Sequence, residues 1–163
     1  MEVEKAALAL DAALPSGIRV LAADAVDTHH AALMSQAAGA SYRVTLPYSK
    51  DVSAAVAEFN AAPELLFKKA APKTKAKFKE IDVKFYIPQL TAEQTETETI
   101  FSFDCKITPT GSMKAVDLLN ALNEQYGLEL PVEMADIERL RLYRNNKNGK
   151  PIPMLNSDAV TLG

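Results

Sequence analysis

Two carboxylates are the first side chains in this sequence that could do chemistry. Asp82 and Asp104 lie in stretches that alternate apolar and polar residues, so a hairpin could bring both to one face of a sheet. Paired carboxylates divide the roles of acid and base only where a pocket moves their pKa values apart. Because lysines are interleaved with both, cross-strand ion pairs are the simpler expectation, and we predict no catalytic residue.

The histidines and the cysteine offer no better catalytic centre. His29 and His30 are adjacent, so their side chains diverge and make a poor metal chelate. Cys105 alternates with Phe103 and Ile107, which predicts a buried, inert thiol. A single cysteine excludes an internal disulfide and an iron–sulfur cluster held by this chain alone. Phosphate-loop, nucleophile-elbow and zinc-protease motifs are also missing, which favours a protein that is not an enzyme, with no cofactor and no metal.

Composition indicates an ordinary globular protein. The 163 residues are 48% hydrophobic and 24% charged, with a net charge of −3. No apolar run is long enough to span a membrane, and the acidic start, "MEVE", lacks the basic segment of a secretory signal. We therefore expect a cytoplasmic protein.

The positive charges are concentrated in two segments. Residues 68–84 contain seven lysines and two acids, and residues 139–150 contain five cations and no acid. Lys73, Lys75, Lys77 and Lys79 form a candidate basic loop within the first segment. Such local asymmetry can attract a polyanion even to an acidic protein, although a solvated loop is the plainer alternative.

Apolar periodicity predicts an α+β fold. A helix at residues 3–14 and a strand at 18–23 come first, followed by a short helix that ends at Gly39. From residue 41 the predicted order is a strand (41–46), a helix ending before Pro63, a strand (64–69), a long hairpin (79–90 and 98–108), a helix (112–127) and a strand (137–144). This is the β-α-β-β-α-β order of a ferredoxin-like sandwich with one extra strand.

The same pattern predicts the domain limits. Residues 1–25 are the helix–strand remnant of a preceding ferredoxin-like unit, and residues 26–40 are a connector with a short helix. Residues 41–155 form the ferredoxin-like domain, and residues 156–163 are a loose tail.

The helix-free face of such a sheet is the candidate binding face. Alternation predicts that Leu140 and Leu142 face the core and that basic and aromatic side chains point outward. The predicted outward set is Arg43, Asp82, Lys84, Tyr86, Lys106, Arg139, Arg141 and Tyr143. Cations can bind phosphates and rings can stack on bases, so RNA is one expected ligand. Alternatively, the face packs against another protein segment through cross-strand ion pairs, or is simply solvated.

Several stretches resemble one known family. They are "ALDAALPSGIRVLAADAV" (9–26), "AALMSQAAGASYRVTL" (31–46), "FKEIDVKFYI" (78–87), "GSMKAVDLLNAL" (111–122) and "IERLRLYRNNKNGKPIPML" (137–155). Together they resemble the bacterial radical SAM-linked proteins, whose domain of unknown function is fused to or encoded beside a radical SAM enzyme. The resemblance implies such an enzyme as partner and RNA modification as a candidate process. The family's N-terminal segment is missing here, which we expect to reflect a short member or a truncated chain.

The functional expectation is a non-catalytic accessory domain. It would bind a macromolecular substrate, with RNA favoured, or dock onto a radical SAM enzyme. A purely structural protein–protein interaction module is one alternative, and a small enzyme that uses Asp82 and Asp104 is another. The cysteine motif that holds a radical SAM cluster is absent, so radical chemistry would belong to the partner.

Overall fold

Two compact units make up the chain. The computed structural model describes residues 2–27, 29, 31–71, 75–156 and 158–162. One unit comprises Met1–Gln36 and Arg144–Gly163, and the other comprises Ala37–Tyr143. The domain limits expected from the sequence, at residues 25, 40 and 155, stay a prediction, because compactness alone does not show which part folds independently.

The elements run in the following order along the chain. They are α1 (Val3–Ala13), β1 (Ala22–Ala23), β2 (Ala37–Leu46), α2 (Ser53–Ala61), β3 (Leu66–Ala70), β4 (Phe78–Asp82), α3 (Val83–Tyr86), β5 (Leu90–Gln94), β6 (Thr99–Thr108), β7 (Gly111–Ser112), α4 (Ala115–Tyr126), β8 (Asp136–Asn145), β9 (Pro151–Pro153) and β10 (Val160–Thr161). Short 3₁₀ helices lie at Leu33–Gln36 and Val132–Met134.

The sheet of the Ala37–Tyr143 unit has the strand order β5-β6-β2-β8, and β6 pairs antiparallel with both β2 and β5. Helix α2 lies between β2 and β5 in the chain, and α4 lies between β6 and β8. These connections are those of a split β-α-β arrangement. The expected α+β class is confirmed, and the topology is compatible with a ferredoxin-like fold.

The core of this unit lies between the sheet and the two longer helices. Val44 and Phe101 are cross-strand neighbours that are fully buried, as are Phe59 of α2 and Leu118 and Leu122 of α4. The apolar spacing of α4 follows the helical repeat, and Gly127 ends the helix at φ +63°, a conformation that glycine adopts without steric cost.

One predicted strand is wrong in part. The stretch expected to be continuous over residues 79–90 is divided: β4 pairs with β3, the chain makes the turn α3, and β5 alone pairs with β6. Asp82 causes the break, because its carboxylate accepts the backbone N–H groups of Lys84 and Leu65 and so caps α3. Val83 and Tyr86 are then buried three residues apart, which is a helical spacing.

The other unit joins the two ends of the chain. Strand β1 pairs antiparallel with β10, and Asp24 accepts hydrogen bonds from the backbone and side-chain amides of Asn156. Near α1, Asp11 accepts from the backbone of Val20 at 2.7 Å and pairs with Arg19 at 3.1 Å. The strand expected at residues 18–23 is limited to the two residues of β1.

Candidate binding surfaces

The outward face of β2 and β6 carries a polar cluster centred on Ser41. Ser41 and Asp104 are direct cross-strand partners, and the hydroxyl of Ser41 donates a hydrogen bond to the Asp104 carboxylate. Arg141 of β8 donates from Nε to the Ser41 hydroxyl at 2.9 Å. The Ser41 hydroxyl therefore links Arg141 to Asp104, and no direct ion pair joins these two residues.

The remaining cations of this face differ in their partners. Arg43 lies 3.6 Å from the carboxylate of Glu138. Lys106 places its ammonium 5.1 Å from the centre of the Phe85 ring. Arg139 is exposed, and no carboxylate in the described part of the chain lies within ion-pair distance of it. Among the described residues the face thus combines one ion pair, between Arg43 and Glu138, with three cations that have no carboxylate within ion-pair distance: Lys106, Arg139 and Arg141.

Tyr143 is packed onto the sheet instead of standing free above it. A Cβ at Gly39 would lie 2.2 Å from the Tyr143 hydroxyl, so the phenol occupies the space that glycine leaves open. Arg141 lies 5.9 Å from the centre of the Tyr143 ring. Burial raises the pKa of the Tyr143 phenol, and Asp104 raises it further. The ring is half-buried and already contacts Gly39, so little of its surface is left for a nucleic-acid base to stack on.

Three residues of the candidate face lie elsewhere. Asp82, Lys84 and Tyr86 belong to the cap and turn of α3 and not to the sheet. Lys84 donates to the Pro88 carbonyl at 2.6 Å, and its ammonium lies 4.5 Å from the centre of the Phe59 ring. Burial lowers the pKa of Lys84. Alternation failed to place these residues because α3 interrupts the strand.

The candidate basic loop lies on a β-hairpin formed by β3 and β4. We call the described residues of this hairpin, 66–71 and 75–82, the basic ribbon. Lys75, Lys77 and Lys79 are exposed, whereas Lys73 lies outside the described residues. Phe78 has 60% of its surface exposed, and the sequence analysis did not single it out. Its flanking lysines are the only signal in the sequence that could have drawn attention to it.

The first six residues of β8 are exposed on both sides of the strand, which the sequence did not predict. Every residue from Asp136 to Arg141 is exposed, and no residue of β8 belongs to the hydrophobic core. Leu140 was expected to face the core, yet it is 46% exposed, and Ile137 is 38% exposed. That expectation is wrong because the buried side chains of α2 and α4 pack on β2, β5 and β6 and leave β8 uncovered.

A cleft in the unit formed by the chain ends was also missed. Its volume is about 500 Å³, and its lining includes Asp24, Leu33, Arg144 and Asn156. Arg144 donates to the Asn156 side chain at 2.9 Å and to the Pro153 carbonyl at 3.2 Å. No motif connects these residues, which are distant in sequence, so spacing alone could not have found the cleft.

Metal and membrane sites were searched for among the described residues. They contain no group of three His, Cys, Asp or Glu side chains that could hold a metal ion. None of their helices has the length and apolar character required to cross a bilayer.

Comparison with known proteins gives one match. No curated protein and no solved structure matches the chain. A family model described as an uncharacterized protein conserved in bacteria (DUF2344) matches residues 1–124 of the 163. Since the match covers well over half of the sequence, the chain belongs to the DUF2344 family of bacterial proteins of uncharacterized function.

Proposed function

We propose that this chain is a non-catalytic accessory domain that docks onto a protein partner through β8. The observation that carries the proposal is the exposure of every residue from Asp136 to Arg141 on β8, the neighbour of β2 in the strand order β5-β6-β2-β8. Strands β2 and β6 of the same sheet bury alternate side chains, as expected for a sheet with one covered face. Strand β8 lacks that cover.

The apolar side chains of this region support a protein partner. Ile137 and Leu140 are exposed on β8 itself, and Met134, just before the strand, is 61% exposed. Single exposed apolar residues are ordinary, but a group on one uncovered strand indicates an interaction surface. Arginine is also common at protein interfaces, and Arg139 lies within the same stretch. We name the residues from Met134 to Arg141 the docking strand.

The carboxylates support a non-catalytic role. Asp82 is occupied in capping α3, and Asp104 accepts the hydrogen bond of Ser41 on the sheet. They lie on different elements, and both make structural contacts. The alternative of an enzyme that uses the pair is therefore weaker than the alternative of a binding domain.

The partner that we propose is a radical SAM enzyme. The support is the resemblance of five stretches of this sequence to radical SAM-linked proteins. In this arrangement the partner supplies the reaction and the present chain supplies a surface that positions the partner or its substrate.

The test is co-expression of this chain with the radical SAM protein encoded beside it in the same bacterium. We expect the two to co-purify after nuclease treatment, and we expect Leu140→Lys to abolish the association because it places a charge in the apolar contact. Leu10→Lys is the matched control, since Leu10 is 54% exposed on α1. Failure of the wild-type chain to associate, or equal loss in both variants, would contradict the proposal.

A further inference from the structure

The basic ribbon is anchored on one side and free on the other. Phe67 and Ile81 are cross-strand partners, and both are buried in the core. Leu66, Lys68 and Phe78 lie on the opposite side of the hairpin, where all three are exposed. The core thus holds the ribbon in place and leaves a fixed surface available to a ligand.

The ribbon carries more positive charge than its own acids compensate. Lys69 is paired with Asp117 at 3.0 Å. The ammonium groups of Lys68, Lys75, Lys77 and Lys79 have no carboxylate within ion-pair distance among the described residues. In the hairpin register Lys68 lies opposite Glu80, and Lys79 lies opposite Lys69, whose charge Asp117 already compensates. A bound polyanion would compensate the lysines that have no carboxylate within ion-pair distance.

Phe78 distinguishes a nucleic acid from other polyanions. Its ring is exposed on the same side of the hairpin as Lys68, and Lys77 comes just before the strand, so a base that stacks on the ring would place its neighbouring phosphates near these two cations. Stacking on a protein ring requires an unpaired base, because bases inside a duplex are already stacked. An exposed aromatic flanked by lysines therefore fits a single strand better than a duplex.

We propose that the basic ribbon binds single-stranded nucleic acid, with the lysines at the phosphates and Phe78 stacked on a base. The inference does not depend on the docking strand, because the two surfaces share no residue. The outward face of the sheet is a poorer candidate for this ligand, since Glu138 pairs with Arg43 and the cluster of Ser41 and Asp104 contacts Arg141.

The test uses the full chain and fluorescein-labelled oligouridine, with oligothymidine as a second arm that distinguishes RNA from DNA. Fluorescence anisotropy at about 50 mM salt, where electrostatic binding is strong, should show saturable binding. For a single strand the logarithmic salt slope is about −0.7 for each phosphate neutralised, so the triple variant Lys75→Ala, Lys77→Ala, Lys79→Ala should reduce its magnitude by about 2.

A charge-matched control variant shows whether the change in salt slope comes from the lysines of the basic ribbon or only from the lower net charge. The variant Lys5→Ala, Lys50→Ala, Lys147→Ala removes the same charge from other parts of the chain and should keep the wild-type slope. Phe78→Ala should weaken binding by about tenfold while the slope is unchanged, because stacking does not release counterions. Three results would each overturn the inference. They are a failure to bind both oligonucleotides, equal salt slopes in the two triple variants, and tighter binding to a duplex of the same length.

Discussion

The phenol of Tyr143 lies directly over the backbone of Gly39. A methyl group at residue 39 would meet the phenolic oxygen at 2.2 Å, the ring at 2.5 Å and the Cys105 carbonyl at 2.9 Å. Glycine is therefore required at this position by a close approach and not by a turn. The contact joins β2 to β8, so it also fixes the strand that we propose as the docking surface.

Gly39→Ala should destabilise the protein, because neither the ring nor the Cys105 carbonyl can move away freely. The expected loss in unfolding free energy is about 1–3 kcal/mol, the usual cost of overpacking. Urea unfolding monitored by circular dichroism measures it. The matched comparison is the same substitution in a Tyr143→Ala background, where the loss should be smaller because only the contact with the Cys105 carbonyl remains. Equal losses in both backgrounds would show that the ring does not occupy this space.

The sequence predicts the parts of the fold that follow one simple periodicity. Helix α4 and strand β6 were expected close to where they occur, because their buried residues repeat at helical or strand spacing. Strand β2 was expected only over residues 41–46, but it begins at Ala37, where the sequence pattern had indicated the end of a short helix. The stretch "VKFYI" satisfies both spacings, so its apolar pattern could not show that α3 replaces a strand. The conformation there is decided by Asp82, whose carboxylate caps α3 by accepting from the backbone of Lys84. The same carboxylate also accepts from the backbone of Leu65, which lies 17 residues earlier in the chain.

The binding surfaces were less predictable than the fold. Alternation placed Arg43, Lys106 and Arg141 on exposed strand positions, but their ion pairs and ring contacts depend on tertiary neighbours. The exposure of Leu140 depends on how far the helices extend across the sheet, and no local pattern in the sequence contains that information.

Asp82 provides a second prediction. Asp82→Ala should cost about 0.5–2 kcal/mol of unfolding free energy, as is typical for the loss of a helix N-cap. Asp82→Asn should cost clearly less, because the amide oxygen can still accept from the Lys84 and Leu65 backbones. Thermal unfolding of the two variants measures the difference. If Asn were as damaging as Ala, the negative charge and not the cap would be the essential feature.

The thiol of Cys105 provides a prediction for pH. Burial raises its pKa above the ordinary 9.0, and the buried thiol lies 3.5 Å from the Met113 carbonyl. A raised pKa in the folded state favours the protonated form. The resulting stability is complete below pH 9.0 and is lost as the pH rises through the folded pKa.

Iodoacetamide labelling followed by mass spectrometry tests this description of Cys105. At neutral pH the folded protein should be alkylated far more slowly than the protein unfolded in urea, because thiolate is the reactive form and the sulfur is buried. Rapid labelling of the folded protein at neutral pH would mean that the thiol is accessible and that the core near β6 opens readily.

The docking strand can be tested most directly by hydrogen–deuterium exchange of this chain, alone and in complex with the radical SAM enzyme that we propose as its partner. Amides of residues 136–141 should exchange more slowly in the complex, whereas those of β5, at the opposite end of the strand order, should be unchanged. A complex that forms without protecting residues 136–141, or that protects β5 instead, would contradict docking through β8.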